Sequence, residues 1–326
     1  MAAMPYPTPS DSSQPIEPER PLDLQYYLTE GLEGVEHHNY RDIRTLKEAV
    51  NSRADTPRSD KADESLPPYL IFSPVTPRQL ANIDRLRKTC YKDLRFLYLN
   101  EPQVLIVKHM PDPVHHLAAK MFEDIIKEKL LAGGQRNEMA NMGNTTYQGM
   151  SSGKQPDGSL RPLRARPNHL DWPTVIFEGG VSETPNRLTA DGRWWIENSK
   201  GAVKIVLLFF ASVTDKSIRI ELWKPGKVEK QHGTYESDKD VVTGPTLKKR
   251  VKITPNAITG APLKLKFKDI LLRKPKKKRG EGDYIITEDE IREYYNRVWP
   301  APLPALEDDS QDESCKLALF DLSCKL

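Results

Sequence analysis

Residues 172–184 read Trp-Pro-Thr-Val-Ile-Phe-Glu-Gly-Gly-Val-Ser-Glu-Thr, and the interpretation of the whole chain starts from them. The apolar run Pro173–Phe177 predicts a buried strand that ends on Glu178. Asp157 precedes Glu178 by 21 positions (178 − 157), at the end of the segment Lys154–Asp157. A carboxylate on a buried strand is costly unless it is paired or bound to a cation. The pattern therefore predicts that Asp157 and Glu178 form a pair that binds Mg²⁺.

Both carboxylates also have plainer interpretations. A Pro-Asp pair in a loop rich in glycine and serine is commonly just a turn. Glu178 could also end its strand in contact with solvent, with neither partner nor ligand. The residues themselves leave these alternatives open for Asp157 and for Glu178.

The composition predicts one sizeable domain with long polar ends. The chain has 326 residues, of which 37% are hydrophobic, and many of its 27 prolines lie near the two ends. Segments of this kind bury too little apolar surface to offset the entropy lost on ordering. We therefore expect a mostly disordered arm over residues 1–65, with a short helical stretch within 23–50. A folded domain over 66–300 and a disordered tail over 301–326 complete the prediction.

The net charge and the cysteine content of the chain limit the classes of protein to which it can belong. The formal net charge of +3 is too small to identify a nucleic-acid binder by itself. Three cysteines, two of them near the C-terminus, form no disulfide framework, and the N-terminal residues lack a signal-peptide pattern. The longest apolar stretch, Val203–Val213, is about half of the ~20 residues that a membrane span needs. We therefore expect a soluble intracellular protein with no membrane partner.

Hydrophobic periodicity predicts a mixed α+β fold. Val114–Leu131 and Pro185–Asn198 have the spacing of amphipathic helices. Thr76 and Thr287 are placed to cap two further helices. The predicted strands are Leu94–Leu99, Val104–Val107, Asn144–Gln148, Thr174–Phe177, Val203–Phe210, Ile218–Trp223 and Leu263–Phe267. A basic stretch over 227–252, rich in threonine and glycine, is predicted to be a loose insertion. The alternation of strands and helices indicates an α+β or α/β-like arrangement around a mixed sheet.

From Leu94 to about Val298, one ordered series of motifs follows these predicted elements. It comprises Val107–Pro111, His115–His116, Gly143–Tyr147, Lys154–Asp157, Trp172–Thr184, Arg187–Leu188, Asp191, Arg193–Trp195 and Val203–Phe210. This series resembles the PD-(D/E)XK nuclease superfamily, in its Uma2-like branch as it occurs in fungal proteins. The resemblance implies a restriction-endonuclease-like fold, in which helices flank a mixed central sheet.

The resemblance also implies a site and an activity. Asp157 and Glu178 would hold Mg²⁺ (or Mn²⁺), with the Gly179 carbonyl as a further ligand, because hard oxygen ligands suit these ions. The bound ion would polarise a phosphodiester in DNA and supply hydroxide for its hydrolysis. The implied protein is a metal-dependent nuclease whose partner is nucleic acid, DNA in the first place. A homodimer is left open.

The chain departs from the family pattern at the cation. The family's motif lysine would stand two positions after Glu178, where this chain has Gly180. Arg187, on the following predicted helix, is the candidate to replace it as a phosphate clamp, although arginine is a poor general base. A solvated helix arginine is the plainer interpretation of Arg187. Lys154 and Arg193 are further candidate contacts to nucleic acid.

A second departure concerns His116, which stands where the family often has a metal-associated glutamate. The missing lysine and this histidine support another interpretation, a catalytically degenerate nuclease fold that binds nucleic acid or protein. A third interpretation makes the polar ends docking segments and the domain a scaffold, since fold alone does not define activity. Trp194 and Trp195 are expected in the core, and Asp191 is expected to cap or pair on the helix surface.

Dense basic runs at Lys248–Arg250 and Arg273–Arg279 add a candidate interaction surface. The second run resembles a monopartite nuclear import signal and is equally placed to contact phosphate, although a solvated loop also fits. The candidate nucleic-acid contacts in it are Lys276, Lys277, Lys278 and Arg279. The C-terminal Cys324–Leu326 resembles a variant of the Ser-Lys-Leu peroxisomal signal. Of the two addresses we favour the nucleus.

Overall fold

The computed structural model describes residues 24–55, 67–109, 113–181, 185–229 and 241–300. Within these ranges the helices α1–α7 are Leu24–Thr29, Ile43–Asp55, Pro77–Cys90, Pro113–Ala132, Pro185–Asn198, Phe267–Leu271 and Glu288–Val298. The strands β1–β15 are His37–Asn39, Tyr69–Ser73, Arg95–Leu99, Val104–Lys108, Met139–Asn141, Tyr147–Gln148, Ser152–Lys154, Gly158–Pro162, Val175–Val181, Ile205–Ser212, Ser217–Glu229, Val241–Ile253, Ile258–Thr259, Leu263–Leu265 and Tyr284–Ile286.

The strands form two large sheets and one short pair. The first sheet has the order β1-β2-β4-β3-β7-β6, the second has the order β13-β12-β11-β10-β9-β8-β5, and β14 pairs with β15. Both large sheets are mixed, since β1 runs parallel to β2 and β9 runs parallel to β10 while the other pairs are antiparallel. This combination of helices and mixed sheets confirms the predicted α+β class. Among the described residues, no helix is both long enough and apolar enough to cross a bilayer.

Three hydrophobic clusters define how these elements are layered. The first packs α4 and α7 against one face of the second sheet and includes Phe122 and Phe209. The second joins the two large sheets and contains Trp194 and Trp195 of α5, as expected for core residues. The third packs α2 and α3 on the outer face of the first sheet, around residues such as Ile83. The candidate site lies at the level of the second cluster.

The alternation of side chains along two strands places charged groups in the layer between the sheets. Successive side chains of a strand point to opposite faces. Along β9, Phe177 packs in the first cluster, so that Ile176 and Glu178 face the second. Along β4, Ile106 packs in the second cluster, and Lys108 has the same orientation because it lies two residues further on. Two strands from different sheets therefore present a carboxylate and an ammonium to each other.

Most predicted elements occur where the periodicity placed them. Helix α5 has the predicted bounds, and α4 extends its prediction by one residue at each end. The hairpin of β3 and β4 is present, with five cross-strand residue pairs. Thr76 and Thr287 form the capping boxes of α3 and α7, in which the side chains of Gln79 and Glu290 bond back to the cap residue. These elements are specified locally, by spacing and by cap chemistry.

Residues 24–55 pack on the domain and differ from the mostly disordered arm that was predicted, whereas the helical stretch predicted within 23–50 is present in α1 and α2. Helix α1 places Tyr27 in the second cluster, and α2 places Leu46 and Val50 in the third, so the apolar residues of the segment are buried. Gly31 shows how closely this segment approaches α5. It has a φ of +64°, and a Cβ there would collide with the backbone nitrogen of Arg187. Residues 1–23, 56–66 and the tail 301–326, including Cys-Lys-Leu, lie outside the described residues.

The basic stretch over 227–252 is not a loose insertion where it is described. Strands β11 and β12 pair antiparallel from Ile218 and Ile253 outward to Glu229 and Val241, with one bulge. Val251 is buried and its neighbours in the sequence are exposed, which is the alternation of a strand with one buried face. Residues 230–240 lie outside the described part of the chain.

Candidate active site

Asp157 and Glu178 converge on one ammonium group, that of Lys108. The Lys108 Nζ donates to Asp157 Oδ2 over 2.7 Å and to Glu178 Oε2 over 3.3 Å. Asp157 directly precedes β8, which pairs with β9, and this pairing brings the two carboxylates together. All three groups are buried, with side-chain exposures of 6% for Asp157, 0% for Glu178 and 5% for Lys108. The interpretation of Glu178 as a solvent-exposed strand end is therefore wrong.

Neutral donors fix the orientation of both carboxylates. The backbone N–H of Gly179 donates to Asp157 Oδ2 over 2.9 Å. The indole Nε1 of Trp195 donates to Glu178 Oε1 over 2.7 Å. On the other side of Asp157, Arg95 Nε lies 3.4 Å from Oδ1, an ion pair without hydrogen-bond geometry. Gly179 thus contributes a donor to the pair, and the predicted role of its carbonyl as a ligand stays a prediction.

A third carboxylate extends the arrangement away from Asp157. Lys154 Nζ lies 3.6 Å from Glu178 Oε1 and 2.9 Å from Asp191 Oδ1. Arg187 donates to the same Asp191 oxygen over 3.2 Å, and the Tyr69 hydroxyl lies 3.4 Å from the other oxygen. Asp191 is buried, so the expected place for it on the helix surface is wrong.

These groups form what we call the carboxylate cluster. Its members are Asp157, Glu178, Asp191, Lys108, Lys154, Arg187 and Arg95. Three carboxylates and four cations are thus buried together in one network. Buried charges of this kind persist only when they are mutually paired and hydrogen-bonded.

Burial and pairing have opposite effects on the protonation of the cluster. Burial acts to lower the pKa of Lys108, but Asp157 and Glu178 outweigh it and raise that pKa above its usual value. Burial acts to raise the pKa of Asp157, but Lys108 and Arg95 prevail and hold it below its usual range. At Glu178 burial prevails over Lys154 and Lys108, and the pKa lies above its usual value. Glu178 is therefore the carboxylate of this pair that more readily takes up a proton.

Arg187 is tied to the chain rather than presented to solvent. Its NH1 donates to the backbone carbonyl of Tyr27 over 2.8 Å, and its guanidinium lies 5.7 Å from the centre of the Tyr69 ring. The side chain is 1% exposed. Arg187 therefore joins the N-terminal segment to Asp191, and the interpretation of a solvated helix arginine is wrong.

The other predicted cations are divided between the interior and the surface. Lys154 is buried in the carboxylate cluster, with its ammonium directed at two carboxylates. Arg193 is half-buried, pairs with Glu197 and stacks on Tyr26 with 4.5 Å between the guanidinium and the ring centre. The four cations of the predicted phosphate contact, residues 276–279, are exposed and lie on a separate loop. The structure thus unites Asp157, Glu178, Lys154 and Arg187, and it leaves the others apart.

Lys108 is one of the site residues that sequence reasoning missed, together with Arg95. The signal was present, since Lys108 ends an apolar strand and shares the orientation of the buried Ile106. Lys108 also pairs across the sheet with Tyr69 and with Arg95, which puts three polar side chains in one row. The resemblance predicts the cation at position 180, on β9, whereas this row lies on β2, β4 and β3.

Glu123 of α4 is a further residue that the sequence did not reveal. It follows His116 by seven residues (123 − 116), or about two helical turns. It is 2% exposed and pairs with Lys127. A Cβ added to Gly158 would lie 2.7 Å from Glu123 Oε2, so this carboxylate lies beside the residue that follows Asp157. The side chains of His115 and His116 lie outside the described part of the structure.

The donor set fits a hard divalent cation in part. Asp157 Oδ2 and Glu178 Oε2 already share one cationic neighbour, and carboxylate oxygens are the ligands that Mg²⁺ prefers. Among the described residues, however, no three His, Cys, Asp or Glu side chains are grouped to hold a metal. A narrow crevice lined by Lys120, Glu123, Asp157 and Gly158 has no room for a water molecule. A metal would therefore need Lys108 to withdraw, with water completing the coordination.

No protein-family model matches the chain, and no curated protein matches it either. The resemblance to the PD-(D/E)XK superfamily therefore stays a prediction.

Proposed function

We propose that the protein hydrolyses phosphodiester bonds in DNA with the help of a divalent cation. The observation that carries this proposal is the convergence of Asp157 and Glu178 on the ammonium of Lys108. Two carboxylates and a lysine are the groups that such hydrolysis uses, to hold the ion and to stabilise charge on the phosphate. Lys108 supplies from β4 the cation that Gly180 cannot supply from β9.

Each group has a distinct part in the proposed reaction. Asp157 and Glu178 would hold Mg²⁺ or Mn²⁺, which would polarise the phosphate and lower the pKa of a bound water. Gly179 and Trp195 keep the two carboxylates oriented through their N–H groups. Lys108, once displaced from the carboxylates, would be available to stabilise the negative charge that develops on the phosphate. Arg187 acts as a positioning residue, since its NH1 donates to backbone carbonyls and its NH2 donates to Asp191, while its buried Nε has no hydrogen-bond partner.

Cleavage of supercoiled plasmid and of single-stranded DNA tests the proposal. We expect nicking that requires Mg²⁺ or Mn²⁺ and that stops with EDTA. Asp157→Asn is expected to lose it, because a neutral amide is a much weaker ligand for Mg²⁺. The matched control is Glu128→Gln on the exposed face of α4, which is expected to cut like the wild type. Equal cutting by Asp157→Asn and the control would contradict the assignment.

A second candidate function rests on the burial of the cluster. Four cations already neutralise the three carboxylates, and the crevice leaves no room for water. A catalytically degenerate nuclease fold, kept as a binding module, has no use for an open metal site. This second function predicts no metal-dependent nicking by the folded protein, and DNA binding whose affinity does not change when EDTA is added.

A further inference from the structure

An exposed loop at the end of α6 carries five cations within six residues. We call residues 274–279 the basic loop, and its cations are Lys274, Lys276, Lys277, Lys278 and Arg279. All five side chains are exposed, and they line an open hollow of about 620 Å³ together with Pro275. Like charges repel one another, so a loop of this composition needs a reason to hold one conformation.

Arg273, directly before the basic loop, provides that reason. Its guanidinium donates to both oxygens of Glu138 over 2.8 and 2.6 Å, and to both oxygens of Glu281 over 2.6 and 2.9 Å. Bidentate pairs of arginine with carboxylate are strong and directional. Arg273 also stacks on Phe267, with 4.8 Å between the guanidinium and the ring centre. This clamp anchors the start of the loop to α6 and to the turn before β5.

Glu281 clamps the far end of the same loop. One of its oxygens accepts the backbone N–H of Lys276 over 2.6 Å. Residues 277–279 form a 3₁₀ turn that ends at Gly280, whose φ is +73°. The pKa of Glu281 is lowered to about 2, first of all by the hydrogen bonds from Arg273. Glu281 is therefore ionised at neutral pH. Both carboxylates near the loop, Glu138 and Glu281, accept hydrogen bonds from Arg273.

We propose that the basic loop is a preorganised binding surface for the phosphate backbone of DNA. DNA carries one negative charge per about 1.7 Å of the duplex axis, and the loop offers five exposed cations to these charges. Both acids of the clamp are paired with Arg273, so neither repels the phosphates. The clamps hold the cations in place before binding, which lowers the ordering cost of association.

The clamped conformation argues against a nuclear import receptor as the occupant. Receptors that read a linear run of residues commonly take it in an extended form. Here residues 277–279 are wound into a turn, and the backbone of Lys276 is bonded to Glu281. Reading of the lysine run as an extended strand would require that this clamp be broken. A phosphate backbone needs only the exposed ammonium and guanidinium groups.

Strand β8, near one edge of the second sheet, connects the candidate active site with the anchor of the basic loop. Glu138, which holds Arg273, ends the turn before β5, and β5 pairs with β8. Strand β8 begins directly after Asp157 and runs five residues to Pro162, or roughly 17 Å at 3.3 Å per residue. That length corresponds to about five base steps of duplex at 3.4 Å each. The claim that the bound DNA is also the substrate rests on the proposed function, whereas the binding surface does not.

Fluorescence anisotropy with a labelled duplex of about 20 base pairs, in EDTA, tests the binding surface apart from catalysis. The variant Lys276→Gln/Lys277→Gln/Lys278→Gln removes three charges from the loop. We expect it to weaken binding by roughly tenfold to hundredfold and to reduce the slope of log K against log salt by about 3 × 0.9. Removal of three charges from β12, Lys248→Gln/Lys249→Gln/Lys252→Gln, is the matched control and is expected to weaken binding less.

DNA binding by the variant Glu281→Gln distinguishes the effect of the clamp on affinity from the effect of net charge alone. The variant keeps all five cations and raises the net charge by one, so an account based on charge alone predicts tighter binding. The clamped loop predicts binding that is weaker by about threefold or more, because the cations lose their preorganisation.

Tighter binding by Glu281→Gln would overturn the preorganisation of the loop, and two further outcomes would overturn the binding surface itself. One is equal affinity of the loop variant and the β12 variant for DNA. The other is a purified import receptor that binds the folded wild type through the loop while the duplex does not. Neither outcome touches the proposed function, because plasmid cleavage is measured separately with metal.

Discussion

Lys108→Met is expected to lower the free energy of unfolding by about 3–5 kcal/mol at pH 8, because it removes one partner of a buried ion pair. Asp157 would keep Arg95 and the Gly179 N–H, and Glu178 would keep Lys154 and Trp195. The two carboxylates would nevertheless face each other without the ammonium that joins them. Urea denaturation monitored by circular dichroism measures the change.

The sign of the pH dependence follows from the raised pKa of Glu178. A carboxyl whose folded pKa lies above its unfolded value contributes stability below the unfolded pKa, and the protein loses it as pH rises through the folded pKa. Without Lys108 this pKa rises further, because burial is then opposed by one cation less. The deficit of Lys108→Met is therefore expected to be larger at pH 8 than at pH 5.5. The double variant Lys108→Met/Glu178→Gln should recover part of the lost stability at pH 8.

The control for this series is Lys264→Met, which removes an ammonium that is 57% exposed and 3.0 Å from Asp283, itself 31% exposed. Ion pairs of that kind contribute about 0–1 kcal/mol. A Lys108→Met variant within about 1 kcal/mol of the wild type at pH 8 would contradict the account of the carboxylate cluster.

Glu178→Gln is expected to reduce metal-dependent DNA cleavage by at least about 10³-fold. A divalent ion contributes several kcal/mol of charge stabilisation to the transition state, and each 1.36 kcal/mol is tenfold in rate. The amide oxygen of glutamine still accepts from Trp195, and burial already disfavours the charged form of Glu178. We therefore expect the variant to unfold within about 1 kcal/mol of the wild type. Plasmid cleavage and urea denaturation on the same preparations measure the two effects.

Wild-type cleavage should also fall with decreasing pH as Glu178 becomes protonated. Because its pKa in the metal-free protein is raised and proton and ion compete for Glu178, the fall at sub-saturating metal should begin above the pH at which a solvated glutamate, with a pKa of about 4.3, is protonated. A large loss of stability in Glu178→Gln with cleavage retained per folded molecule would reverse the assignment, since it would make Glu178 a structural residue only.

Elements with strong local signals were predictable from the sequence. The capping boxes at Thr76 and Thr287 and the bounds of α5 depend on residues within a few positions of each other. The proximity of Asp157 and Glu178 was also predicted, and it follows from the pairing of β8 with β9, whereas the metal assigned to the two carboxylates stays a prediction. Such features require no knowledge of which strands of the two sheets lie together.

The features that were missed depend on contacts between distant parts of the chain. Lys108 meets Glu178 only because a strand of the first sheet faces a strand of the second, 70 residues away (178 − 108). Tyr27 and Arg187 are buried against each other across 160 positions, so the helical spacing within the N-terminal segment predicted a helix but not its packing on the domain. Along β12 the alternation around Val251 was present, but the high charge of the stretch concealed it.

The central claim is that Asp157 and Glu178 form a cation site at which Lys108 and a divalent ion compete. Calorimetric titration of Lys108→Met with Mn²⁺ tests it most directly, with Lys108→Met/Glu178→Gln as the matched control and circular dichroism to establish that both are folded. The account predicts one Mn²⁺ site in Lys108→Met, about tenfold or more tighter than in the wild type because the competing ammonium is gone, and loss of that site in the control. Mn²⁺ binding that is equally weak in Lys108→Met, the control and the wild type would contradict the claim.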